Sequence, residues 1–356
     1  MRTGGIVTVT AAAAVDRTYT IDAYVSGGVN RARSVHRELS GKGVNVALAV
    51  GQTDVPVLAV VPLGRRELLG VEGDAVLRPV PIGRDIRVNV SVVEDDGTTT
   101  KINEGPTPLA EDEWRALVDA SLRAVAELDG GWLVLCGTLP RVIETGELVP
   151  FEELLDGAAA LGVRLAVDTS GEALHRVLRY PGRVHAIKPN THELAEAVGR
   201  ELDTVGDVVA AAQELRTGGS GSGGIETVYV SMGADGALVV GEEGYFLGSA
   251  VAPAVVNTVG AGDASLAGFL VSRARTEARQ AEGSAGVDAS AAAHASAGAD
   301  MSDAAHANAD AARTAAAWGA LAVSQTTTVL ADPGGAPEAR VTVPDPSTPL
   351  TEPGRP

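Results

Sequence analysis

Apolar residues along the chain fall into short blocks of two kinds. Gly4–Thr10, Val55–Val61, Trp132–Cys136, Arg164–Asp168, Val184–Lys188 and Thr227–Ser231 are compact and mostly β-branched or aliphatic, the pattern of strands. Between them, Gly43–Gly51, Ala110–Leu128, Phe151–Leu161, His192–Val198 and Val208–Arg216 read as helical segments. Strand and helix taking turns predicts an α/β fold with a mostly parallel central sheet covered by helices on both faces. Trp132–Cys136 is apolar throughout, which suits a strand buried on both sides.

One region breaks the alternation. Arg87–Glu94 and Thr98–Glu104 flank Asp95-Asp96-Gly97, and an Asp-Gly turn between alternating strands signals a β-hairpin. Thr18–Tyr24 and Asn30–Glu38 read as a second strand pair. These four strands, within about 17–38 and 86–104, are expected to form a small β-sheet lid over the main sheet. Thr217–Gly224 has the composition of a Gly/Ser linker. Its G-x-G-x-x-G match at Gly219, Gly221 and Gly224 precedes a strand and opens no helix, so it is not a dinucleotide fingerprint. Glu277–Ala312 is rich in Ala, Ser, Gly and Asp and lacks an apolar stripe, so it reads as a low-complexity insertion. His294 and His306 inside it read as solvent-facing. Residues 1–335 are then expected to form the main domain and 336–356 a C-terminal tail.

Composition narrows the partners. The formal net charge of −18 repels nucleic acid and anionic lipid, so neither is an expected partner, and a phosphorylated ligand would need a local basic pocket. The single cysteine, Cys136, excludes an intrachain disulfide and suits a reducing cytoplasm. No apolar run is long enough to span a bilayer, and MRTGGIVTVTAAAAV reads as a first strand and not as a signal peptide. Aromatics make up only 3% of the chain, so Ala, Val and Leu must build the core.

Two glycine-rich turns carry the candidate chemistry. In Asn257-Thr258-Val259-Gly260-Ala261-Gly262-Asp263, the glycines stand where a helical pattern begins. Glycine lets backbone approach a ligand closely, and a helix start offers unpaired N–H groups and a positive dipole end. That combination is an anion site suited to a transferring phosphoryl group, with the Asp263 carboxylate placed to take a proton from an attacking hydroxyl. An N-capping aspartate after a glycine turn is the plainer alternative. In Ser40-Gly41-Lys42-Gly43-Val44-Asn45, a second turn before a helix could present backbone, Lys42 and Asn45 to a polar substrate.

GKGVNVA and NTVGAGD together resemble the paired signatures of the PfkB (ribokinase-like) carbohydrate kinases. The likeness extends through VLCGTLP, VDTSGEAL, KPNTHEL and YVSMGADGA to the helix around Ala317–Val323. It implies a three-layer α/β/α fold with a lid, and an ATP-dependent phosphotransferase with Mg²⁺. It assigns Asp263 as general base and Gly260, Ala261 and Gly262 as the anion hole. It puts Asp16, Arg31, Gly41, Lys42, Asn45, Arg87 and Thr138 on the substrate side, with Arg31, Lys42 and Arg87 toward the substrate's phosphate. Arginine suits that task because its planar fork binds phosphate oxygens bidentately. Lys188, Asn190, Ser231, Gly233, Gly236, Gly260 and Gly262 fall on the ATP side. Asn190 and Glu193 match an N-x-x-E motif that acts on magnesium through water; a capping pair is the alternative for these two.

Within the family, Asp16-Arg17-Thr18-Tyr19, GVNRARSV and GKGVNVA most resemble the 1-phosphofructokinase branch. That implies fructose 1-phosphate as acceptor; tagatose-6-phosphate kinases and the minor 6-phosphofructokinases share most of the motifs. A non-catalytic sugar-phosphate binding protein is the alternative from another class. The basic cluster argues against a nucleoside acceptor, which has no phosphate to bind. The chain departs from the family at Ala12-Ala13, where Asn-Pro is usual, and in a shortened Gln52–Pro81 region. A lid with exposed strands invites pairing with a second copy, so a homodimer through the lid is expected.

Overall fold

The computed structural model describes residues 4–180, 182–218, 224–286 and 301–356. Its centre is a ten-stranded sheet. From one edge the strands are Leu77–Pro81, Val57–Leu63, Gly5–Thr10, Gly131–Cys136, Arg164–Asp168, Val184–Ile187 and Ile225–Ser231, all parallel. The sheet continues antiparallel through Ala237–Gly241, Gly244–Ala250 and Ala339–Thr342. The inner strands Gly5–Thr10, Val57–Leu63 and Gly131–Cys136 are buried almost throughout, as their unbroken apolar runs require. Leu77–Pro81 carries two prolines and was not legible as a strand; it is accommodated at the sheet edge, where a missing N–H costs no ladder bond.

The lid is a separate four-stranded sheet in the order Ser34–Ser40, Ala14–Thr20, Arg87–Val93, Thr99–Asn103. The hairpin around Asp95-Asp96-Gly97 stands where its turn predicted it. The other pair differs from expectation: its strands are Ala14–Thr20 and Ser34–Ser40, and residues 21–33 connect them as a loop that is exposed from residue 22 onward. Gly27, at φ 75°, breaks the extended run that the sequence pattern carried into this loop. The parallel pairing of Ala14–Thr20 with Arg87–Val93 puts Asp16 opposite Asn89 and Ala14 opposite Arg87.

Two boundaries are corrected. Glu277–Ala312 is not an insertion over its whole length. Ala261–Gly286 is one helix, and Asp303–Ala322 is another that packs on it and on the antiparallel edge of the sheet. The missing apolar stripe misled because alanine and glycine pack by close backbone approach. Ala311, Ala312 and Ala315 are fully buried, and a Cβ at Gly248 would stand 2.0 Å from the Ala312 carbonyl oxygen. His306 lies in the second of these helices. Residues 287–300 with His294, and residues 219–223 of the Gly/Ser stretch, lie outside the described residues. Nor are residues 336–356 a bare tail: Ala339–Thr342 joins the main sheet, and Pro349–Gly354 pairs antiparallel with Leu202–Thr204. No helix among the described residues is long and apolar enough to cross a membrane.

Candidate active site

The carboxyl ends of the parallel strands and the helix starts beyond them bring distant segments together, as open α/β sheets do. The helix Lys42–Val50 begins at Gly41, whose φ is 143° and where a Cβ would stand 2.5 Å from the Thr10 Cγ2. This tight entry presents Lys42 and Asn45 from one helical turn. The helix Ala261–Gly286 begins after Gly260, at φ 81°, where a Cβ would stand 2.0 Å from the Thr328 carbonyl oxygen. Only glycine fits there. Asp263 lies in the first turn of that helix, and the Asn45 Nδ2 donates to its Oδ2 over 2.8 Å. The Asp263 Oδ1 accepts no hydrogen bond among the described residues.

Behind this pair stands Asp168, at the end of the strand Arg164–Asp168 and 1% exposed. The Lys42 Nζ donates to its Oδ1 over 3.0 Å, and the Lys188 Nζ lies 3.4 Å from its Oδ2. Lys188 itself is buried. At Gly262 a Cβ would find only the Lys188 Nζ, 3.9 Å away, so the backbone of the helix start is open toward that ammonium. An anion placed there would meet unpaired helix N–H groups on one side and a buried cation on the other.

Electrostatics separate the two carboxylates. Burial, reinforced by the nearby Asp168 charge, pushes Asp263 up to about 6, against the smaller opposing effects of the Asn45 hydrogen bond and the two lysines. Asp168 is buried as deeply, which would raise it, but Lys188 and Lys42 together hold it below the ordinary carboxylate range. Burial would lower Lys42, but Asp168 overrides that and raises it, with smaller contributions from Glu193 and Asp263. One carboxyl kept ionised and its neighbour raised by burial and by that like charge is an environment suited to a general base.

A second group lies on the lid. The Asn89 Nδ2 donates to the Asp16 Oδ1 over 2.9 Å, and Arg87 feels the Asp16 charge although burial lowers it overall. The Arg87 Nε is buried and has no hydrogen-bond partner among the described residues. Glu38, opposite Asp16 in the lid ladder, accepts from the Thr328 hydroxyl over 3.1 Å. Because Thr328 also packs on Gly260, the base of the lid is joined to the anion loop. Arg31 sits exposed on the loop between the lid strands. Thr138 is exposed beyond the strand Gly131–Cys136, in a turn anchored by the Gly137 N–H donating to the Asp168 carbonyl over 2.7 Å.

Asn190 and Glu193 form a reciprocal cap at the start of the helix Thr191–Val198. The Glu193 N–H donates to the Asn190 Oδ1 over 2.8 Å, and the Asn190 N–H donates to the Glu193 Oε2 over 2.9 Å. The capping alternative is therefore realised, while Glu193 still acts electrostatically on Lys42. Ser231 is bridged to Asn190, and Gly233 and Gly236, at φ 56° and 107°, shape the turn that follows. Among the described residues no cluster of three or more His, Cys, Asp or Glu could by itself hold a metal ion.

Sequence reasoning left out Asp168, Glu38 and Asn89. Asp168 had a signal, an acidic residue ending an apolar strand inside VDTSGEAL, but its two lysine partners lie far away in sequence. Glu38 and Asn89 owe their positions to lid register, which a single strand does not announce.

Comparisons with known proteins bear on this geometry. The profile of the pfkB family carbohydrate kinases matches residues 9–333. A 1-phosphofructokinase of Haloferax volcanii is 34% identical over 276 residues, covering 75% of this chain and 84% of that protein. The crystal structure of phosphofructokinase-2 from Escherichia coli in complex with fructose-6-phosphate superposes with a TM-score of 0.66 at 31% identity, covering 76% of this chain and 88% of that one. Arabidopsis thaliana ribokinase shares the fold, with a TM-score of 0.60 at 18% identity over 94% of this chain and 96% of that one.

Proposed function

Since the chain belongs to the pfkB family of carbohydrate kinases and is a sugar-phosphate kinase of the phosphofructokinase type, we propose that it transfers the γ-phosphoryl group of ATP to fructose 1-phosphate, giving fructose 1,6-bisphosphate and ADP. The observation that carries the mechanism is Asp263. It is a carboxylate raised to about 6, whose Oδ2 is held by Asn45, in the first turn of a helix whose backbone is open toward Lys188.

In this reading the Asp263 Oδ1 takes the proton of the acceptor hydroxyl as the hydroxyl oxygen bonds to the γ-phosphorus and the γ-phosphorus bond to the β-phosphate oxygen breaks, releasing ADP. The Gly262 and Asp263 amides and the Lys188 ammonium face the charge that spreads over the transferring group. Asp168 holds both lysines in place through its two carboxylate oxygens. Arg87 binds the acceptor's own phosphate, and Asp16, aligned by Asn89, accepts from sugar hydroxyls. Lys42, whose ammonium lies between Asp168 and the glycine turn at Gly41, serves the substrate side, and Gly41, Thr138 and Arg31 border it. Lys188, Asn190, Ser231, Gly233 and Gly236 line the nucleotide side.

Magnesium, when bound with the nucleotide, would neutralise phosphate charge. It would be held chiefly by phosphate and water, with Asn190 and Glu193 in its outer sphere. The lid leaves Tyr24, Val25, Val29, Val35 and Ile102 exposed, an apolar surface that a second copy would cover, which supports a homodimer.

Fructose 6-phosphate is the second reading, favoured by the likeness to the Escherichia coli structure that holds it. An ATP-consumption screen of fructose 1-phosphate, fructose 6-phosphate, tagatose 6-phosphate and free fructose decides. The highest kcat/KM should belong to fructose 1-phosphate, and free fructose should be poor because Arg87 would face no phosphate. A higher kcat/KM for fructose 6-phosphate would establish the second reading.

A further inference from the structure

The segment Pro349–Arg355 lies beyond the residues that the family profile matches, and it crosses both nucleotide-side elements. At one end it grips the turn that carries Gly233 and Gly236. The Thr351 N–H donates to the Asp235 Oδ2 over 2.8 Å, and the Thr351 hydroxyl donates to the Asp235 Oδ1 over 2.5 Å. At the other end it is fixed to the helix headed by Asn190. A Cβ at Gly354 would stand 2.5 Å from the Thr191 carbonyl oxygen, and the His192 Nδ1 lies 2.7 Å from the Arg355 carbonyl oxygen. The Arg355 guanidinium anchors the strap to Asp203 over 2.7 Å.

The turn is thus clamped from two sides. A Cβ at Gly236 would stand 2.2 Å from the Gly248 carbonyl oxygen, so the sheet edge fixes its far end. The near end rests on Asp235, whose two carboxylate oxygens both accept from Thr351. We infer that this strap sets the spacing between the Asn190 helix start and the Gly233–Gly236 turn, and that Thr351 is a positioning residue for ATP. The inference rests on the reading that these two elements bind the nucleotide. Preorganised loops bind more tightly because less ordering remains to be done on binding, so loosening one edge should weaken ATP selectively.

The test uses the full chain with Thr351→Val, which keeps the backbone bond and removes the hydroxyl, and Thr351→Ser, which keeps both. KM for ATP and for the phosphosugar are measured together with kcat, and ATP binding is measured by calorimetry without acceptor. Thr351→Val should raise KM and Kd for ATP roughly three- to tenfold, the net worth of one ordinary hydrogen bond, since the lost bond is exposed and acts on ATP only through the turn. It should leave KM for the phosphosugar and kcat near parental values, and Thr351→Ser should restore ATP binding. Unchanged ATP binding in Thr351→Val, or equal weakening of both substrates, would overturn the inference while leaving the kinase reading intact. Absence of ATP binding in the parent chain itself would overturn both.

Discussion

The Asn45 side chain donates to the Asp263 carboxylate over 2.8 Å, across 218 positions of sequence. The bond ties the two glycine-turn helices to one catalytic centre, and it stabilises the ionised form of Asp263. Asn45→Ala removes that stabilisation, so the Asp263 pKa should rise above its value of about 6. The acid limb of kcat/KM, which reports the base in the free enzyme, should then move to higher pH. A pH profile from 5 to 8 checks this; an unmoved limb would mean that the titrating group is not Asp263.

Asp168 and Asp263 should also oppose each other in stability. Asp263 has a folded pKa raised from 3.8 to about 6, so its contribution to stability grows as pH falls through that window. Asp168 has a folded pKa held below 3.8, so its contribution is present above that value and is lost in acid. Asp168→Ala leaves two lysines without their buried partner and should cost about 3–5 kcal/mol. Thermal melts at pH 7 should show a drop on the order of 10 °C. A melt within a degree or two of the parent would show that Lys42 and Lys188 are adequately solvated without Asp168.

Arg87 should act on one substrate only. Arg87→Ala is expected to raise KM for the phosphosugar roughly 10- to 100-fold, the equivalent of about 1.5–3 kcal/mol for a hydrogen bond to a charged group. KM for ATP should stay near the parental value. Equal weakening of both would make Arg87 a structural brace of the lid.

Much of this centre was legible before any coordinates. The strand–helix alternation gave the parallel sheet, and GKGVNVA and NTVGAGD marked the two helix starts that meet at Asn45 and Asp263. Pairings between distant residues were not legible. Nothing local in VDTSGEAL says that Asp168 will bridge Lys42 and Lys188, and nothing in RVNV says that Asn89 will face Asp16. Those relations come from sheet order and lid register, which are set by the whole chain. The alanine-rich stretch failed for a different reason. Pattern reading looks for large apolar side chains, whereas Ala311, Ala312 and Ala315 bury helix backbone against the neighbouring helix and strand.

Glu277 accepts from the Trp132 indole over 3.2 Å and pairs with Arg164 over 3.4 Å, while Asn308 accepts from buried Arg273 over 3.0 Å. Replacing residues 277–312 by a short linker removes both sets of contacts and the buried alanines. The melting temperature should fall clearly, or the chain should fail to fold. A shortened chain that melts like the parent would mean these contacts contribute little.

The central claim is that Asp263 is the base. Asp263→Asn keeps size and shape but cannot take the proton from the acceptor hydroxyl. Steady-state turnover of ATP with fructose 1-phosphate, or with whichever phosphosugar the acceptor screen selects, should show kcat lower by roughly 10²–10⁴-fold. Calorimetry should show both substrates still bound, and the melt should show an intact fold. An Asp263→Asn chain that binds both substrates and turns over like the parent would contradict the account.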